Sequence, residues 1–229
     1  MAKVYIGVGH GGSDSGAVKY LVEKDINLKM ALACRDYLKA AGVDVKISRT
    51  TDKDSSIAEK VTAANSWGAD LALDIHNNAG GGDGAEVYHS IVGGTGKRLA
   101  DNILNEFEKI GQNVRGAKTK HENGTDYFGF IRLTDMPAVI TEAVFVDNSA
   151  DAAQADTEAE CKSFGIAIAK GVLRTLGIAD NIMPNTPSKP AQTIYRVQVG
   201  AYTNKSNAVK LAKKLNSIGY QTLIVKGVK

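Results

Sequence analysis

Short apolar runs alternate with amphipathic stretches along the first 180 or so residues, and that alternation fixes the expected fold class. "VYIGV" and the alternating "VDVKIS" have the length and β-branched content of strands. Between them, "DINLKMALACRDYLKAAG" repeats apolar residues at helical spacing, and Gly42 supplies the stop. A second helix is predicted from Ile57 to near Gly68, with Ile57, Val61 and Ala64 on its inner face, and "LALDI" follows as a buried strand. After the strand candidate "AEVYH", the residues Leu99, Ile103, Phe107 and Ile110 mark a third helix that ends at Gly111. "PAVIT" is again strand-like, and Phe164, Ile168 and Val172 line one face of a last helix. Strands alternating with helices predict an α/β domain over residues 1–179, with a mixed, largely parallel sheet flanked by helices.

The pattern breaks after that helix. "NIMPNTPSKPAQT" holds three of the four prolines, so 180–193 is expected to be a linker. Residues 194–229 then suggest a small α+β module: Val197 and Val199 alternate, "SNAVKLAKKLNSIG" begins on Ser206 as N-cap and closes on Gly219, and "TLIV" is extended.

Charge divides the chain at the same place. The net charge is +3, but residues 1–180 hold 20 Lys and Arg against 25 Asp and Glu, and the remainder holds eight basic residues and no acidic ones. Such a tail suits an anionic partner or a solvated basic face. It lacks the clustered arginines and interleaved aromatics of a nucleic-acid binder, so no nucleic acid is expected. The apolar runs are strand-sized and no N-terminal stretch has a secretory pattern, so neither stable membrane insertion nor a signal peptide is expected. Cys34 and Cys161 stand alone in helical segments as buried thiols, which excludes a disulfide framework.

Candidate chemistry gathers at strand ends. His10 and His76 directly follow "VYIGVG" and "LALDI", and in a parallel sheet such positions share one rim. Glu23, at the start of the first helix, belongs to that rim too. Two imidazoles and a carboxylate make a three-ligand zinc site with an open position. Glu142, after "PAVIT", is either paired, with Arg132 as the candidate, or functional. His89 and His121 have no such company and are taken as non-ligands; Asn78 and His121, the latter in "KTKHENGTDYFG", are assigned to a substrate groove. "GVGHGG" is no phosphate loop, because it has neither GxGxxG spacing nor a following Lys-Ser/Thr pair.

The stretches "GVGHGGSDSGA", "EKDINL", "ISRTTD", "AANSWGADLALDIHNNA", "GAEVYH" and "PAVITEAVFVDN" resemble zinc-dependent N-acetylmuramoyl-L-alanine amidases of the amidase 3 type, found in bacterial autolysins and phage endolysins. The resemblance covers roughly residues 1–177. It implies Zn2+ held by His10, Glu23 and His76, Glu142 as the catalytic carboxylate, and hydrolysis of the amide between N-acetylmuramic acid and L-alanine in peptidoglycan. Two departures stand out: Asp74 occupies a position that is commonly Ser in the family, and "VFVDN" replaces Gly-Phe-x-Ser-Asn. The alternatives are a zinc peptidase or deacylase acting on wall peptides and a non-catalytic wall-binding protein.

The tail from Ile194 resembles the first half of a SPOR domain, a module that binds glycan strands stripped of peptide. Half such a domain is expected to leave a sheet edge exposed, open to a partner or a swapped copy, as in a truncated or proteolysed form. Without a signal peptide, the expected route to the wall is holin-type release or host lysis.

Overall fold

The computed structural model describes residues 1–182, 199–220 and 222. In chain order the first 182 residues form β1 (Lys3–Val8), α1 (Glu23–Ala40), β2 (Asp44–Ile47), α2 (Ile57–Trp67), β3 (Leu71–Asn78), β4 (Ala85–His89), α3 (Gly94–Lys109), β5 (Val114–Lys118), β6 (His121–Glu122), β7 (Thr125–Asp126), α4 (Gly129–Leu133), β8 (Ala138–Phe145), α5 (Ser149–Ala152) and α6 (Glu158–Leu176). Six strands form one sheet in the order β2-β1-β3-β8-β4-β5, while β6 and β7 pair separately. Within the large sheet every pairing is parallel except β4 with β8.

Alternation along the strands builds two cores. Val4, Ile6 and Val8 of β1 and Leu71, Leu73 and Ile75 of β3 face the larger one, beneath Met30 and Leu38 of α1, Leu99, Ile103 and Phe107 of α3, and Phe164, Ile168 and Val172 of α6. The smaller core contains Tyr5, Ala72 and Ile140 under Val61 and Ala64 of α2 and Phe130 and Ile131 of α4. This second layer is short. Beyond Ala72 and Ile140, the same-face positions toward the carboxyl ends of β3 and β8 are Asp74, His76 and Glu142, so polar side chains take over where apolar cover stops.

Helix boundaries follow local chemistry. Ser56 with Glu59 and Thr157 with Glu160 form capping boxes on α2 and α6, and Gly68 and Gly177 end those helices in left-handed conformation. The helix α6 crosses α1 and α3 closely at two glycines: a Cβ on Gly165 would lie 2.3 Å from the Met30 carbonyl oxygen, and one on Gly171 would lie 2.7 Å from Ile103.

Several expectations need correction. The third helix ends at Lys109 with Ile110 as its C-cap, 41% exposed instead of buried; Ile57, the first residue of α2, is 51% exposed. Both sit at helix ends that overhang the core. In residues 184–229, a separate unit, α7 (Lys205–Asn216) is capped by Asn204, whose side chain accepts from the Ser206 amide at 2.9 Å, so Ser206 is not the cap. Most of the linker, and the strands expected on either side of α7 apart from Val199 and Thr222, lie outside the described residues. Among the described residues, no helix is long and apolar enough to cross a membrane.

Candidate active site

His10 leaves β1 in a strained conformation. Its φ is 56°, a left-handed value that a side chain with a Cβ rarely adopts. Neighbouring backbone is pinned on both sides. Gly9 donates its amide to Ile75 O at 2.9 Å, and its own carbonyl accepts from Asn27 Nδ2 and Arg49 Nη2, each at 3.1 Å. Arg49 is buried and also donates to Lys24 O at 2.8 Å, which ties the His10 loop to α1. The bare Gly9 is a steric requirement, since a Cβ there would fall 2.4 Å from the His76 ring.

Three donor groups converge. Glu23 Oε1 lies 3.2 Å from His10 Nε2 and 3.1 Å from His76 Nδ1, and the two rings meet edge to face with centroids 4.9 Å apart. As the first residue of α1, Glu23 sits at the positive end of the helix dipole. Its other oxygen, Oε2, accepts from the Ala17 amide at 2.9 Å. Burial alone would raise the Glu23 pKa, but hydrogen bonds from His10 and His76 outweigh it and hold the carboxyl far below its ordinary range. The hydrogen bond to Glu23 raises His10 in turn.

The outward nitrogen of each histidine also has a carboxylate. Asp14 Oδ2 is 2.7 Å from His10 Nδ1, and Asp74 Oδ2 is 3.3 Å from His76 Nε2. Asp74 is itself buried against Lys60 of α2, whose Nζ is 3.0 Å from both carboxylate oxygens. Carboxylates behind ligating imidazoles fix ring orientation and strengthen the ligand.

Glu142 pairs in register with His76 on the adjacent parallel strand, so both side chains rise from the same face about 4.8 Å apart. Its Oε2 is shut away from solvent without a hydrogen-bond partner among the described residues, and desolvation pushes its pKa up to about 8. Arg132 does not pair with it, because its guanidinium donates to the carbonyls of Asp126 and Tyr127. Asn78 ends β3 and donates to Glu86 Oε2 at 3.3 Å, whereas His121 sits exposed on the separate β6–β7 hairpin and does not join the cluster. His89 is buried, with Nδ1 2.8 Å from Ser90 O.

His10, Glu23 and His76 place one donor atom each within 4.8 Å of one another. Two imidazoles and a carboxylate, backed by further carboxylates and facing an unpartnered acid, suit a divalent zinc-type cation. The profile of the N-acetylmuramoyl-L-alanine amidase family matches residues 4–174, and that of the SPOR domain matches 169–226. The chain belongs to that amidase family. The amidase is 38% identical over 230 residues to N-acetylmuramoyl-L-alanine amidase CwlM of Bacillus licheniformis, covering 98% of this chain and 85% of the relative. The endolysin of Bacillus phage SPP1 is 32% identical over 196 residues, 81% of this chain and 70% of the phage protein. The catalytic domain of CwlV, from Bacillus (Paenibacillus) polymyxa, superposes with a TM-score of 0.70 at 30% identity, covering 78% of this chain and all of that domain. The amidase hydrolyses peptidoglycan as an N-acetylmuramoyl-L-alanine amidase, in a family that is generally zinc-dependent.

Sequence reasoning missed the supports of this site: Asp14, Arg49, Lys60 and Glu86. Asp14, Arg49 and Glu86 lie in the family-like stretches "GVGHGGSDSGA", "ISRTTD" and "GAEVYH" without being assigned a role, and Asp74 stood out as an acid in place of the family's usual Ser.

Proposed function

We propose that His10, Glu23 and His76 hold Zn2+ and that Glu142 carries the proton during cleavage of the amide between the lactyl group of N-acetylmuramic acid and L-alanine. The observation that supports this reading is the convergence of His10 Nε2 and His76 Nδ1 on Glu23 Oε1, with Glu142 one strand away. A zinc ion held by these residues supplies Lewis acidity toward the scissile carbonyl and lowers the pKa of water toward about 7. Glu142 takes a proton from the attacking water as its oxygen bonds to the lactyl carbonyl carbon. It then delivers that proton to the alanine nitrogen as the C–N bond breaks, leaving a lactyl carboxylic acid and a free amine. A carboxyl whose acidity lies near neutrality serves as both acceptor and donor. Asp14 and Asp74 keep the two imidazoles oriented. The likeness to a phage endolysin supports a lytic route to the wall, with holin-type release, and the SPOR match supports binding of glycan strands by the C-terminal segment.

Digestion of purified cell walls tests the reaction. New N-terminal alanine without new reducing sugar ends is expected; new N-termini other than alanine would overturn the assignment in favour of a peptidase.

A further inference from the structure

The polar row on the open face of the sheet continues past Glu142. Glu86 of β4 is paired with Glu142 of β8, which is paired with His76 of β3, so three side chains rise side by side, one strand spacing of about 4.8 Å apart. The strand β5 closes the row. Arg115 Nε and Lys118 Nζ both reach Oε1 of Glu86, Lys118 at 2.6 Å, while Tyr88 Oη and Asn78 Nδ2 donate to Oε2 at 3.1 and 3.3 Å.

Glu86 is buried, but the side chains of Arg115 and Lys118 are 42% and 34% exposed. Among the described residues, Glu86 is the only carboxylate within 4 Å of either cation, so two positive charges share a single negative one at the edge of the sheet. The Arg115 guanidinium lies over the Phe145 ring, 5.3 Å from its centroid. Its terminal nitrogens make no hydrogen bond among the described residues, and a planar fork of that kind matches a carboxylate. The buried acid thus draws two cations of an edge strand toward the polar row on the sheet.

The two halves of the substrate differ in charge. With its lactyl carboxyl tied up in the amide, the muramic acid side carries no ionised group there, whereas the stem peptide carries free carboxylates. The cations reach from β5 to a carboxylate that lies one strand spacing from Glu142, and an extended peptide advances about 3.3–3.6 Å per residue. We infer that Arg115 and Lys118 form a subsite for a free carboxylate on the stem peptide, at the residue that follows alanine. This inference rests on the reading that Glu142 marks the point of amide cleavage.

Two N-acetylmuramoyl peptides that differ only in whether the second residue bears an α-carboxylate or an α-carboxamide provide the test. With the full chain, KM for the carboxylate peptide is expected to be about tenfold lower or more, the size of a charge-assisted contact. Arg115→Gln, which leaves Lys118 paired with the buried Glu86, is expected to weaken that preference by raising KM for the carboxylate peptide alone. Equal KM values in the unaltered chain would overturn the subsite without recourse to any variant, and so would a loss shared by both peptides. Calorimetric binding of both peptides to Glu142→Gln separates the two readings. Equal affinities there would overturn the subsite, whereas turnover by that variant would overturn the role of Glu142 while the carboxylate preference stood.

Discussion

Lys60 and Asp74 form a buried two-pronged ion pair beneath the active site, with Nζ 3.0 Å from each carboxylate oxygen and both side chains only 3% exposed. Burial would raise the Asp74 pKa, but the Lys60 charge and contact with His76 reverse the effect and bring it down to about 2. Removing one partner strands the other charge. Lys60→Met is expected to cost about 3–5 kcal/mol in equilibrium urea unfolding. Asp74→Asn, which frees the His76 ring, is expected to weaken zinc binding by about 10–100-fold in chelator competition; unchanged affinity would show that Asp74 does not orient the ring.

Glu142 and His10 separate chemistry from metal retention. Glu142→Ala is expected to keep stoichiometric zinc by elemental analysis while wall lysis falls by about 10²–10⁴-fold, the usual worth of a proton-transferring group. His10→Ala is expected to lose both. Near-normal lysis by Glu142→Ala would remove it from the mechanism.

The metal-free site should be sensitive to alkali. Burial would lower the His76 pKa, but the Asp74 and Glu23 carboxylates raise it from 6.5 to about 10, and desolvation raises Glu142 from 4.5 to about 8. Each group keeps in the folded chain a proton that the unfolded chain has already released, so stability falls as pH rises. The His76 contribution is complete below 6.5 and gone above about 10, and that of Glu142 is complete below 4.5 and gone above about 8. The Tm of chelator-treated protein is therefore expected to fall between pH 6.5 and 8, where both act. The gain in Tm on adding zinc should grow over the same range, because the ligands bind metal deprotonated. A chelated Tm that rose across that window would contradict these assignments.

Gly165 is needed for close helix packing. A Cβ there would stand 2.3 Å from Met30 O and 2.7 Å from Ala33 Cβ, so α1 and α6 must separate to admit it. Gly165→Ala is expected to destabilise by about 1–3 kcal/mol in urea unfolding, although alanine is the better helix former. A stabilised variant would mean that the crossing is looser than described.

The large elements were legible because their signals are local. Alternation in "VYIGV" and "LALDI" and helical spacing in "DINLKMALACRDYLKAAG" survive in β1, β3 and α1, where each side chain meets the core its period predicts. The strand β5 escaped notice because "VRGAK" is an edge strand, polar and half-exposed, with no apolar alternation to read. Ile57 and Ile110 fit the helical period, yet lie at helix ends beyond the core.

The sequence by itself determined the α/β order and the convergence of His10, Glu23 and His76, because residues that follow parallel strands must meet at one rim. Only the tertiary structure decided what stands behind and beside them. Lys60 under Asp74, Arg49 on the Gly9 carbonyl, and Arg115 with Lys118 over Glu86 join residues 14 to 40 positions apart through side chains on different elements. Such partnerships depend on strand register and helix docking, which no local pattern of hydrophobic and polar residues encodes.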